Sequence, residues 1–361
     1  MRFFTITCKL ILSLVVLSGP LSLAHSAVVI QYHHVSDSTP RQTSINPKLF
    51  QAHMDYLEKS GFKVISLESF VKQVEQGIDF DDKTVLITFD DGYLSVYEDA
   101  LPILVKKQYP FTVFVNAKPI EQGLSQWMTW EHLRELKRKG ATIANHSYLH
   151  QHLIRKQEGE SDGDWLNRVS HDLALNQQKL DKELGKSVKA LAYPYGEYNS
   201  NIQKLVRQLG YVGFAQHSGA VDKFVDLSAI SRFAFGGDYG NIEDFAVKVN
   251  TLPLPVIKWK LLDSQGGELT DHVLPEGEFR PRLKLWLEDG DIIKRLNCYF
   301  SGQGKTGKLT SKDSVVFELK ANIKAGRSRF NCTVAADKEG RFYWSSYPVI
   351  KGLPNGQWYK E

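Results

Sequence analysis

The stretch Thr84-Val-Leu-Ile-Thr-Phe-Asp-Asp-Gly-Tyr93 constrains the fold of this chain more than any other. Val85, Leu86 and Ile87 form a continuous apolar run without polar alternation, the pattern of a strand buried on both faces of a parallel sheet. The run ends abruptly in Asp90, Asp91 and Gly92. Both acids therefore stand at the carboxyl end of a strand, where parallel barrels carry their chemistry, and the glycine lets the backbone turn away. Neighbouring residues of an extended segment point in opposite directions, so one aspartate can hold a metal while the other works as a base. An Asp-Asp-Gly triplet is equally an ordinary turn, and only residues further along the chain separate the two readings.

Around this strand the pattern alternates. Ala27-Val-Val-Ile-Gln-Tyr-His-His34 is a second apolar strand with polar residues at its tip. Asn46 and Pro47 open a helix whose apolar positions, Leu49, Phe50, Met54 and Leu57, recur at helical period. A short strand over 62–67 and a helix over 68–76 precede the Asp-Asp strand; a helix over 97–107 and a strand over 111–115 follow it. Further helices are expected over 129–139, 164–184 and 201–209, with strands over 141–146, 188–193, 212–215 and 230–235. Strand and helix in turn, without hairpin signals, specify a parallel α/β architecture, most simply a barrel. From Pro253 the texture changes: 256–262, 282–288, 314–319 and 329–335 read as short alternating strands, with Asp289-Gly290 as a hairpin turn. The expected division is thus a domain over 27–250, a proline-containing boundary, and a β-sandwich over 256–361.

The chain has 361 residues, 42% of them hydrophobic, enough for two cores. Its net charge of +4 is dispersed, with no basic run interleaved with aromatics, which argues against a nucleic-acid partner. Arg2 and Lys9, an apolar stretch from Leu10 to Leu17, Gly19-Pro20 and Ala24-His25-Ser26 have the layout of a signal peptide over 1–26. The apolar stretch is too short to span a bilayer, and the expected protein is periplasmic or secreted, with a retained N-terminal anchor as the alternative. Removal of the signal also removes Cys8. Cys298 and Cys332 then remain, and two cysteines in an oxidising compartment usually pair.

Asn145-His-Ser-Tyr-Leu-His150 places two histidines four apart just after a strand. With a carboxylate from another strand tip they would complete three ligands and leave one position open, the layout of a catalytic zinc site. The motifs Thr88-Phe-Asp-Asp-Gly92, His146-Ser-Tyr-Leu-His150 and Tyr193-Pro-Tyr-Gly196, in that order at strand ends, resemble the polysaccharide deacetylases of carbohydrate esterase family 4. The resemblance runs from residue 28 to about 240, and Tyr32-His-His-Val35 and Tyr193-Pro-Tyr-Gly-Glu-Tyr198 look like the bacterial periplasmic branch with the poly-β-1,6-N-acetylglucosamine deacetylases.

The resemblance implies a distorted (β/α) barrel in which Asp91, His146 and His150 hold a divalent metal, Zn2+ first among the candidates. It further implies Asp90 as general base, the Tyr195 backbone amide as oxyanion donor, and removal of N-acetyl groups from an N-acetylhexosamine polysaccharide with release of acetate. An O-deacetylase on the same scaffold and a glycan-binding relic without turnover are the rivals. Two departures stand out. Ala192 occupies the position, two before Pro194, where family members often carry an arginine that orients the base. No Leu-x-x-x-His pattern supplies the usual acid late in the domain, and His217, in Phe214-Ala-Gln-His-Ser-Gly219, is the expected substitute unless it is a simple loop residue. Trp259, Trp286 and Trp344 are expected in the core of the sandwich, given the area an indole buries.

Overall fold

A computed structural model describes residues 25–186, 188–337, 340–353 and 357–359. The expected signal peptide, apart from His25 and Ser26, lies outside the described residues. The first unit is a parallel sheet with helices packed on it. Its strands are β1 (Ala27–Tyr32), β2 (Lys63–Val64), β3 (Thr84–Phe89), β4 (Phe111–Val115), β5 (Ala141–Asn145), β6 (Ala190–Ala192), β7 (Val212–Phe214) and β8 (Phe233–Ala234). The order is β8-β1-β3-β4-β5-β6-β7, with β2 added at the start of β3. Every residue of β1, β3, β4 and β5 is buried, as continuous apolar runs demand of strands covered on both faces.

The two ends of this sheet are linked by one stretch. Ile230 bridges Phe214 in parallel, and Phe233 and Ala234 pair with Ile30 and Gln31. The result is a distorted parallel half-barrel whose seam is residues 230–234. All strand tips bearing the motifs emerge on one side.

The helices follow their local signals. Asn46 caps α1 (Pro47–Lys59), accepting from the Lys48 and Leu49 amides, and Thr129 caps α5 (Trp130–Arg138) with His132 reciprocating. The helix expected over 97–107 instead opens with a π turn (Val96–Ala100) before α3 (Leu101–Lys106). Pro102, which cannot donate a backbone hydrogen bond, sits at that junction. The longest helix, α6 (Asp162–Leu184), runs behind β5.

The second unit is antiparallel. Its five-stranded sheet contains β9 (Val256–Leu262), β10 (Glu268–Leu269), β11 (Arg282–Leu287), β14 (Gly307–Thr310) and β15 (Ser314–Glu318). The four-stranded sheet contains β12 (Asn297–Phe300), β13 (Gly304–Lys305), β16 (Gly326–Ala335) and β17 (Phe342–Lys351). Leu283, Leu285 and Phe317 of one sheet and Phe300, Phe330 and Val349 of the other share one apolar core, a sandwich in section. Cys298 and Cys332 are direct register partners on β12 and β16 and form a disulfide, as their number and compartment led us to expect.

Two expectations for this unit need correcting. Asp289-Gly290 is not a hairpin turn: Asp289 caps a short helix, Gly290–Arg295, accepting from the Asp291 and Ile292 amides. Aspartate favours helix caps as much as turns, and burial of Ile292 and Ile293 selects the helix. Trp286 and Trp344 are not in the sandwich core: Trp286 is half-buried on the outer face beneath Lys258 and Lys284, and Trp344 turns toward the barrel, edge-on to Phe233 at 5.4 Å.

Candidate metal centre

Asp91, His146 and His150 converge. Asp91 Oδ1 lies 3.2 Å from the Nε2 atoms of both histidines, which are themselves 3.2 Å apart. Those are the edges of one face of the ligand tetrahedron around an ion with bonds of about 2.0 Å. His146 Nδ1 donates to the Ala192 carbonyl at 2.8 Å, which leaves Nε2 as a lone pair facing Asp91. Two imidazole nitrogens and a carboxylate oxygen at this spacing suit a divalent cation, and no other group of three or more ligand side chains meets this way among the described residues.

The backbone is strained where it matters. Six non-glycine residues among those described have positive φ, and four are here: Asp91, Ser147, His150 and Tyr195. Such conformations persist only where the surroundings hold them. The His146–His150 turn is held from below: the Ser147 amide donates to Asn145 Oδ1, the His150 amide to Ser147 Oγ, and the Tyr148 and Leu149 amides to the two oxygens of Asp172 on α6. Gly92 has φ 73°, and a Cβ there would press to 3.3 Å of Val115.

Asp90, one peptide bond from a metal ligand, faces a different neighbourhood. It is 1% exposed and takes Arg232 in a two-pronged ion pair, Nη1 to Oδ1 at 2.7 Å and Nη2 to Oδ2 at 2.8 Å. Gln31 Nε2 donates to Oδ2 at 2.6 Å. Burial alone would raise this carboxyl, but Arg232 and His146 hold it below its ordinary range. Arg232 is wholly buried, with Nε on the Ala215 carbonyl at 2.9 Å. It comes from the seam at 230–234, so the arginine missing at position 192 is replaced from another element. Sequence reasoning overlooked it. The available signal was a lone cation inside the apolar strand-like run Ile230-Ser-Arg-Phe-Ala-Phe235, which requires a buried partner.

Tyr195 stands at φ 60° beside the ligands, its ring 4.8 Å from His150 and stacked on His152 at 3.8 Å. Behind it Glu197, fully buried, is bound by His152 Nδ1 at 2.7 Å and by the Tyr359 hydroxyl at 2.8 Å. Arg327 of β16 donates to the Tyr195 carbonyl at 3.0 Å, and its guanidinium lies 5.5 Å over the Tyr195 ring. The third motif is therefore gripped by the C-terminal unit. Gly196 allows this loop to lie against β7, since a Cβ there would fall 2.3 Å from Gln216 Cβ.

His217 is not brought to the triad. Its ring faces Tyr198 at 6.0 Å, with Nδ1 3.5 Å from the Tyr198 hydroxyl, and burial, His272 and Arg329 push it down to about 3. The side chain after β7 has turned toward the C-terminal unit, away from the expected acid position. His33 and His34, at the tip of β1, are nearer. β1 lies beside β3 with Tyr32 opposite Phe89, which puts this tip next to Asp90, and His34 stacks on Tyr93 at 3.6 Å.

Comparison with known proteins agrees with this geometry. Residues 77–214 match the polysaccharide deacetylase family. The poly-β-1,6-N-acetyl-D-glucosamine N-deacetylase of Staphylococcus epidermidis is 27% identical over 236 residues, 59% of this chain and 80% of that protein. The enzyme of the same name from Staphylococcus aureus is 25% identical over 235 residues, 58% of this chain and 81% of that one. Among solved structures, IcaB from Ammonifex degensii superposes with a TM-score of 0.55 at 27% identity, over 63% of this chain and 97% of IcaB. The Streptococcus pyogenes deacetylase PplD, solved with acetate, shares the fold with a TM-score of 0.56 at 23% identity, over 62% of this chain and 98% of PplD. A half-barrel with an Asp-His-His metal triad at its strand tips, matched across the motifs that build it, makes this chain a member of the polysaccharide deacetylase family, carbohydrate esterase family 4.

Proposed function

We propose that this protein is an exported N-deacetylase that hydrolyses acetamido groups of an N-acetylhexosamine polysaccharide, with Zn2+ as its metal. One observation carries the reading: two adjacent carboxylates have been given separate partners, Asp91 two imidazoles and Asp90 a guanidinium. The named substrate of the Staphylococcus relatives, poly-β-1,6-N-acetyl-D-glucosamine, supports the substrate class. The proposed domain limits remain 27–250 and 256–361, preceded by a signal over 1–26.

Asp91, His146 and His150 would hold a divalent cation, which would supply Lewis acidity for acyl transfer to water. Asp90 takes the proton of the attacking water. A carboxylate oxygen accepts two hydrogen bonds in its plane; Oδ2 is filled by Arg232 and Gln31, whereas Oδ1 carries Arg232 alone, so Oδ1 receives the proton. We assign to the Tyr195 amide, as the family resemblance implies, the stabilisation of the oxygen on which negative charge develops. As the carbon–nitrogen bond breaks, the nitrogen must gain a proton, because an amine anion is a prohibitively poor leaving group in water. We assign that donation to His33 in place of His217, since His33 directly follows Tyr32, which pairs with Phe89 and accepts from the Asp90 amide at 2.9 Å.

Acetate release from matched N-acetylated and O-acetylated oligosaccharides tests the reading. Release from the N-acetylated series, abolished in Asp90→Asn without loss of bound metal, is the expected result. Release from O-acetylated glycans alone would establish the esterase instead, and no release from either would leave a binding relic.

A further inference from the structure

A cleft of about 930 Å3 separates the barrel from the sandwich on the side to which His217 turns. That volume is at the upper end for ligand sites in proteins, about 300–1,000 Å3. None of Asp91, His146 and His150 lines it. Its lining is chemically one-sided: Asp222, Asp226, Glu288 and Asp289 contribute carboxylates, and no lysine or arginine takes part. Arg207 reaches Asp226 from outside at 3.3 Å, with both side chains 53% exposed, whereas Glu288 has no ion pair among the described residues.

Aromatic surface accompanies the charge. Trp259 and Tyr347 stack at 5.8 Å with 27° between their planes, both half-buried, and Phe224 is 82% exposed at the edge. A second, independent feature is His272, 7% exposed, whose buried Nε2 has no hydrogen-bond partner. Its Nδ1 lies 3.6 Å from Asp271 Oδ1, and a backbone hydrogen bond to Tyr198 fixes the ring. Burial pushes both His272 and His217 down, so neither adds a competing positive charge.

A ligand matched to this lining carries a cation and hydroxyl donors on a ring whose C–H faces can lie on indole and phenol. A polyanion is repelled by it, and an acetylated sugar brings no charge to it. We infer that the cleft binds a stretch of glycan that already bears free amines, a cationic hexosamine segment, and so holds the product side of a partly deacetylated chain. The identity of the polymer rests on the proposed N-deacetylase reading; the recognition of a cationic sugar does not.

The test is calorimetric titration of the full chain carrying Asp90→Asn, so that no ligand is turned over, with a glucosamine pentamer and with its N-acetylated parent. The amine form should bind at least about ten-fold more tightly, with an advantage that shrinks as salt rises. Trp259→Ala, and separately Asp226→Asn with Glu288→Gln, should each remove most of that preference while the thermal transition is retained. The carboxylate substitutions are on exposed side chains and decide the matter should Trp259→Ala not fold. Equal affinity for the two pentamers, or a preference that survives both sets of substitutions, overturns the proposal. Because turnover is not read, a chain that proves inactive toward acetamides can still pass, and an active one can still fail.

Discussion

Arg232 is the residue on which the catalytic arrangement turns, because it is the cation that lets Asp90 remain a buried carboxylate. Removing one partner of a buried ion pair typically costs about 3–5 kcal/mol, since the other charge is left unpaired in a poor solvent. Arg232→Ala should destabilise the chain by that order, measured by denaturant unfolding. Arg232→Lys keeps the charge but loses the planar fork, and should retain the fold and metal while turnover falls by about two orders of magnitude. Near-normal turnover in the lysine variant would mean that Gln31 alone orients the base. The acid is a separate question. His33→Ala should keep its metal and lower turnover by about two to four orders of magnitude, and His217→Ala should fall far short of that loss; the reverse ranking would return the role to His217. The two aspartates and the His-x-x-x-His spacing were legible in the sequence because each motif is local. Arg232 was not, because it comes from a segment far from Asp90 in sequence and brought beside it only by the closing of the sheet.

Elements were legible where one signal dominated. The strands over 84–89 and 111–115 and the helices opened by Asn46 and Thr129 stand almost where apolar runs and caps put them. The expected strand over 230–235 shrinks to Phe233–Ala234, because Arg232 turns from sheet pairing to Asp90 and Ile230 belongs to the opposite edge. The reach of β16 into the barrel could not be read from periodicity, since alternation says which residues face solvent but not which neighbour covers them. Arg327 is an alternating polar position of β16, yet it donates to the Tyr195 carbonyl. If that contact helps to keep Tyr195 in its left-handed conformation, Arg327→Ala should lower kcat by about five-fold, the equivalent of one hydrogen bond, with little change in KM or melting temperature. An unchanged kcat would show that Glu197, held by His152 and Tyr359, keeps the loop in place without Arg327.

At the scale of the whole molecule, buried histidines couple the fold to pH. His53 on α1 ties three elements together: its Nε2 donates to the Gly240 carbonyl at 2.9 Å, its Nδ1 accepts from the Tyr32 hydroxyl at 2.9 Å, and its ring lies flat on Phe245 at 3.9 Å. The neutral ring satisfies both bonds, and a charged ring would gain no new partner to offset the cost of burying its charge. Burial pushes His53 down from 6.5 to about 3. Between those two values the unfolded chain binds a proton that the folded chain refuses, so the stabilisation is complete above about pH 6.5 and is lost as pH falls toward 3. Each unit of that window is worth about 1.4 kcal/mol, so at pH 5 this histidine alone should cost about 2 kcal/mol relative to pH 7. His217, pushed down to about 3 as well, acts in the same direction. His53→Gln can still bond both Gly240 and Tyr32 but cannot titrate. Denaturant unfolding of the metal-free protein at pH 7 and pH 5 should therefore show a smaller loss of stability on acidification in this variant than in the wild type. Parallel losses in the two would mean that His53 is protonated in the folded chain and that its three contacts do not exclude the charge.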